Sequence, residues 1–178
     1  MTSKLKVNLI NDSGDNNFIT SNGSGVLTTQ KILFPAFQAK LSANQSLSDD
    51  TFVKIQFNTE EYDTNSAYDN SSNYRFTVPS NLAGKYLIYL AVTIDSEANS
   101  NLDTANVTIY KNGSAHANGG LEYYMHSNPP RFLPITHSLV MDLSASDYVE
   151  VYARIEANDS SGGRANSNAT FGGYRIGS

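Results

Sequence analysis

Cysteine is absent from the 178 residues, which excludes disulfide stapling, thiolate metal sites and cysteine nucleophiles. Stability must come from packing, to which self-association can add. Basic residues are scarce: Lys and Arg total 12 against 17 Asp and Glu, for a net charge of -5. They are scattered from Lys4 to Arg175 without forming a stripe, so binding to a nucleic-acid backbone is not expected. No stretch approaches the roughly 20 apolar residues of a membrane helix, and membrane insertion is not expected either. Residues 1–10 lack the apolar run of a signal peptide.

Catalytic constellations are also missing. The three histidines, His116, His126 and His137, have no His-Glu-x-x-His spacing. There is no Gly-x-Ser-x-Gly elbow and no phosphate loop. The acidic pairs Asp49-Asp50 and Glu60-Glu61 are chain neighbours, which point to opposite faces of a strand and so do not make a two-acid glycosidase site. The sequence reads as that of a non-enzymatic protein with no cofactor.

What is present suits β-structure. Hydrophobic residues make up 39% and aromatic residues 11%, with 11 Tyr and 8 Phe, so the chain can build a core. Abundant Asn, Ser and Thr suit turns and strands. Phe52 to Asn58 alternates, with Val53, Ile55 and Phe57 on one face. Tyr148 to Ile155 alternates likewise, with Val149, Val151, Ala153 and Ile155 inward and Tyr148 and Tyr152 outward. Asn112-Gly113 is a strong hairpin signal after the strand around Ile109. Ser114 to Pro130 is polar and reads as a long connection with room for a short strand.

The stretch from Tyr74 to Val92 organises the rest. A short strand should stop at Pro79, which lacks an N–H. Gly84 allows a bend, and the run from Tyr86 to Ile94 is apolar on both faces, so burial on both sides is expected. Many short strands, turn signals and no helical period imply an all-β sandwich.

Phe76, Thr77, Pro79, Gly84 and Tyr86 resemble the Phe-Thr-x-Pro and Gly-x-Tyr pattern of the C1q / tumour necrosis factor superfamily. The likeness extends in order through residues 31–176. It includes Phe37 and Ala39, Tyr68-Asp69, Lys111-Asn112-Gly113, and Leu143, Asp147 and Val149 with Ser146 where the family has Gly. It closes on Phe171, Gly173, Tyr174 and Ile176. This resemblance implies a ten-stranded antiparallel jelly roll over residues 31–178, assembled as a homotrimer. Some members bind calcium through acidic loops; Asp63, Asp69, Asp95, Asp103 and Asp159 are loop acids here, without a calcium-loop spacing. Tyrosines are favoured at interfaces, and Tyr62, Tyr68, Tyr89, Tyr110, Tyr148 and Tyr152 are the expected trimer contacts.

Residues 1–30 form brief strand-like pieces split by Gly, Asn and Ser turns. They read as a leader and resemble the N-terminal leaders of bacteriophage virion appendage proteins. Leu5, Val7, Leu9 and Phe18 are its candidate attachment residues, with other virion proteins as partners. Tyr123, Tyr124, His126, Arg131, Asp159 and Arg164 are the candidate receptor-binding loop residues, for a host-surface glycan or protein. The expected function is that of a virion protein, made in the host cytoplasm: a trimeric head on a fibre, spike or capsid decoration. The alternative is a bacterial or secreted C1q-like lectin or signalling ligand. An enzyme such as a glycan depolymerase ranks last.

Overall fold

The computed structural model describes residues 34–125 and 127–177 and, in the N-terminal stretch, residues 9–11, 13–14, 17–21, 23–24 and 27–29. Two compact units appear, Met1–Phe34 and Pro35–Ser178. In the first, β1 (Leu9–Asn11), β2 (Asn17–Ser21) and β3 (Leu27–Thr29) form a three-stranded antiparallel sheet in the order β1-β2-β3. Leu9 and Phe18 lie on β1 and β2; Leu5 and Val7 fall outside the described residues.

The second unit contains β4 (Ala36–Lys40), β5 (Gln45–Leu47), β6 (Val53–Lys54), β7 (Thr59–Asp63), β8 (Tyr68–Asp69) and β9 (Arg75–Thr77). The long strands follow: β10 (Gly84–Asp95), β11 (Leu102–Lys111), β12 (Ser114–Tyr124), β13 (Phe132–Leu143) and β14 (Tyr148–Ala157). Then come β15 (Gly163–Ala165) and β16 (Thr170–Gly177). No helix occurs among the described residues.

These strands form two sheets. The seven-stranded sheet runs β5-β15-β10-β16-β4-β7, with β13 on the other side of β10. The six-stranded sheet runs β12-β11-β14-β9-β8, with β6 also on β14. The fold is an all-β jelly roll of two antiparallel sheets; β4 to β16 number thirteen where ten strands were expected, because the sheet edges include short segments such as β5, β6, β8 and β15. Its core lies between the sheets. Phe37 stacks on Phe76 at 4.5 Å and meets Phe171 edge-on at 5.1 Å. Ile55, Phe57, Val149, Val151, Ala153 and Ile155 are fully buried, as the alternation predicts.

The turn chemistry follows the residues. Asn112 and Gly113 both have positive φ, and β11 folds back into β12 there. Gly84 has φ of 151°, and the Gly177 carbonyl of β16 occupies the place a Cβ would take. Ser146 adopts φ of 71°, so serine takes the left-handed geometry that glycine takes in the family pattern.

Two expectations need correction. Ser114 to Tyr124 is an eleven-residue strand and not a connection. Among the described residues it pairs with β11 alone, so its polar residues suit an edge open to water. The run from Tyr86 to Ile94 is buried on one face only. Tyr86, Ile88, Leu90, Val92 and Ile94 enter the core, whereas Leu87, Tyr89, Ala91 and Thr93 stay half-buried on the outside.

Candidate recognition surfaces

Three surfaces take up the candidate residues: one end of the sandwich and its two outer faces. Ala36 pairs with Tyr174 and Lys85 pairs with Gly177, so the chain enters and leaves the domain where β10 begins. The far end of β10 lies on the order of 35 Å away at the usual strand rise. There the loops around residues 96–101, 127–131 and 158–163 meet. Ser96 N–H donates to the Arg131 carbonyl at 2.9 Å, Leu102 N–H to the Pro130 carbonyl at 3.0 Å, and Asn158 N–H to the Asn101 carbonyl at 2.9 Å.

Asp95 organises this distal end. Its side chain is 4% exposed and receives Arg131 at 3.0 Å and Arg164 at 2.9 Å. The Glu97 N–H also donates to it, at 2.8 Å, and Arg164 reaches on to Glu97 at 2.7 Å. Burial alone would raise the Asp95 carboxyl; Arg131, the Glu97 N–H and Arg164 outweigh it and hold it below the usual carboxylate range. Beside this cluster Asp159 accepts from Asn101 at 2.9 Å and from the Ser161 N–H at 3.0 Å. Hydrogen bonds from Ser161 and Asn101 bring its carboxyl down to about 2. The structure therefore gathers Arg131 and Arg164 on Asp95, with Asp159 beside them, at one end of the domain.

The other loop candidates separate. Tyr123 and Tyr124 are successive strand residues and point to opposite faces of β12. Tyr124 donates its hydroxyl to Glu122 at 2.6 Å on the outer face of the six-stranded sheet. His126 falls outside the described residues.

Asp63, Asp69 and Asp103, expected in loops, are strand residues, and the first two bind backbone N–H groups of the turns that follow them. Asp63 accepts backbone N–H groups from Asn65, Ala67 and Tyr68. Asp69 accepts those of Ser71, Ser72 and Asn73. Among the described residues no group of three or more His, Asp or Glu converges to hold a metal ion.

The six tyrosines proposed as self-contacts occupy three places. Tyr68 is corrected to a core residue: it is 6% exposed, stacks on Phe37 at 5.3 Å and donates to the Phe57 carbonyl at 3.1 Å. Tyr62 and Tyr89 share the outer face of the seven-stranded sheet, their hydroxyls 3.3 Å apart, and Tyr89 donates to Gln38 at 2.7 Å. Tyr110, Tyr148 and Tyr152 lie on the outer face of the six-stranded sheet. There Tyr110 stacks on Tyr152 at 4.1 Å and Arg75 covers Tyr148 at 4.0 Å.

The outer face of the seven-stranded sheet has an apolar centre. Leu87 stands between Val140 of β13 and Tyr174 of β16, with Ile176 next along β16. Val140 is 53% exposed and Ile176 46%. Tyr89 lies across Gly172, where any Cβ would strike its ring. Charged pairs flank this centre, Lys40 with Glu61 at 2.8 Å and Lys85 with Asp142 at 3.7 Å. The period of two along β13 separates outward Val140 from inward Met141.

Comparison with known proteins places this architecture. The sequence profile of the C1q domain matches residues 36–176. Among solved structures, the globular domain of zebrafish complement 1qA protein aligns with a TM-score of 0.56 at 15% identity, covering 80% of this chain and 97% of that one. Murine APRIL at pH 5.0 aligns with a TM-score of 0.59 at 11% identity, covering 81% and 100%. The same protein at pH 8.5 gives 0.57 at 12% identity, with the same coverage. No curated protein sequence matches the chain. The profile match spans most of the chain: this protein belongs to the C1q domain family, on the jelly roll shared with tumour necrosis factor-like proteins.

Proposed function

We propose that three copies of this chain join through the outer face of the seven-stranded sheet to form a non-enzymatic recognition head. The observation behind this reading is the apolar centre of Leu87, Val140, Tyr174 and Ile176, flanked by charged pairs. An apolar middle with a polar rim is the anatomy of a protein interface. Domains of this family are recognition modules and typically trimers, which supports the same reading. Tyr62 and Tyr89 keep their proposed role on this face, whereas Tyr110, Tyr148 and Tyr152 lie on the opposite side of the sandwich. Light scattering on the purified chain at micromolar concentration should give about three chain masses; a single-chain mass would remove the trimer.

The head is further proposed to be a virion structural protein of a bacteriophage, attached through residues 1–30 to a fibre, spike or capsid. The distal loops around Arg131, Asp159 and Arg164 then face the host surface, because they lie at the opposite end of the domain from Pro35. The support is the leader's likeness to virion appendage proteins and the presentation of paired arginines at that end. Negative-stain microscopy with antibody to this chain tests it: decorated particles are expected, and bare ones would sink the virion assignment. Purified protein should leave host polysaccharide unhydrolysed.

A further inference from the structure

The outer face of the six-stranded sheet has an organisation that neither the core nor the distal loops explain. Strand register sets its residues in rows. One row runs from Lys54 through Tyr152 and Thr108 to Gly120, and the next from Arg154 through Asn106 to Glu122. Four strands side by side make this surface roughly 14 Å wide. One flank is raised by rings: Tyr110 stacks on Tyr152, and Phe52 leans on Tyr110 at 6.5 Å. The other flank is raised by Tyr124, its hydroxyl held by Glu122. Phe52 and Tyr124 are 41% and 61% exposed, more than core packing requires.

Between the flanks the floor is low, and packing keeps it so. A Cβ at Gly120 would lie 2.5 Å from the Thr108 hydroxyl, so position 120 cannot bear a side chain without displacing Thr108. Arg154 crosses the floor, held by Asp50, Glu122 and Glu156. Arg154, Asn106, Glu122 and Tyr124 stand on strands and Phe52 directly precedes β6, so the backbone beneath the platform is already set before binding.

We propose that this face is a binding platform for a neutral polysaccharide, laid flat between Phe52 and Tyr124. Exposed rings offer apolar faces to the C–H surfaces of sugars. The carboxylates of Glu122 and Glu156 accept from sugar hydroxyls, and the Asn106 amide and Arg154 guanidinium add fixed polar groups. Charge selects the class. Asp50, Glu122 and Glu156 are three carboxylates around the one guanidinium of Arg154, and Lys54 is neutralised by the buried Glu150, leaving the strip between Phe52 and Tyr124 two charges negative; Arg75 lies beyond it, over Tyr148. Anionic glycans and nucleic acids are repelled, whereas uncharged hydroxyl-rich chains are not. The site rests on the trimer reading in one respect: assembly through the seven-stranded sheet leaves this opposite face in water.

Affinity electrophoresis of the full chain tests it, in gels containing dextran, barley β-glucan, galactomannan or yeast mannan, with alginate as the anionic comparison. Retardation is expected in at least one neutral gel. Phe52→Ala and Tyr124→Ala should each weaken it by about tenfold, and Tyr124→Phe, which keeps the ring, should retain most of it. Circular dichroism and light scattering on the same samples separate the two readings. A single-chain mass with retardation intact would remove the trimer alone, and a trimer unretarded in every neutral gel would remove the platform alone. Retardation confined to alginate, or retardation of both alanine variants equal to that of the unmodified chain, would also overturn it.

Discussion

Ser146 holds φ of 71° at the turn between β13 and β14. The left-handed region costs an L-residue about 1–2 kcal/mol, somewhat more than the chain entropy that glycine adds. Ser146→Gly should therefore stabilise the domain by about 0.5–1 kcal/mol, read as a higher urea midpoint with an unchanged slope. Gly84 is the opposite case. Alanine there would meet both an unfavourable φ and the Gly177 carbonyl. Gly84→Ala should cost about 3 kcal/mol, because β16 could no longer lie against the start of β10. Glu150 is buried and its carboxylate pairs with Lys54, itself partly exposed. Lys54→Met leaves that carboxylate without its cation and should cost about 2 kcal/mol, below the roughly 3–5 kcal/mol of a fully buried pair because water reaches the lysine side. Thermal unfolding at pH 7 checks it.

At the scale of elements, the distal loops couple stability to acid. Asp95 and Asp159 are held below their ordinary range in the fold. A depressed carboxyl contributes fully above its unfolded value, about 3.9, and its contribution is lost as pH falls through the folded value. The urea midpoint should therefore fall between about pH 4 and pH 2. In Asp95→Asn the fall should be shallower and the midpoint at pH 7 lower; parallel curves would exclude this origin. The sequence showed some of these elements and hid others. Strands β14 and β10 were visible because alternation or a long apolar run marks them. The hairpin at Asn112-Gly113 was visible because few other residues take two positive φ angles in succession. Strand β12 was hidden because an edge strand facing water can be written in polar residues. Tyr68 looked like surface because a hydroxyl suggests water, yet it is satisfied by a carbonyl inside the core. The Arg131–Asp95–Arg164 cluster was hidden because its members stand 36 and 69 residues from Asp95 and meet only once the sheets close.

The whole molecule has two faces of different character. One gathers aliphatic and tyrosine side chains around Leu87; the other mixes rings with carboxylates around Arg154. A charge placed in the first should separate subunits without unfolding them. Tyr174→Glu is expected to reduce the light-scattering mass to one chain while the circular dichroism spectrum and core stability remain. Loss of fold instead would mean that Tyr174 serves its own sheet. The open margin of the six-stranded sheet has one more consequence. Among the described residues strand β12 pairs with β11 alone, yet His137 occupies the Asn118 carbonyl and the small residues from Ala115 to Gly120 give an incoming chain little to grip there. Molecules crowded side by side would thus stay discrete and resist knitting into fibrils, even at high local density.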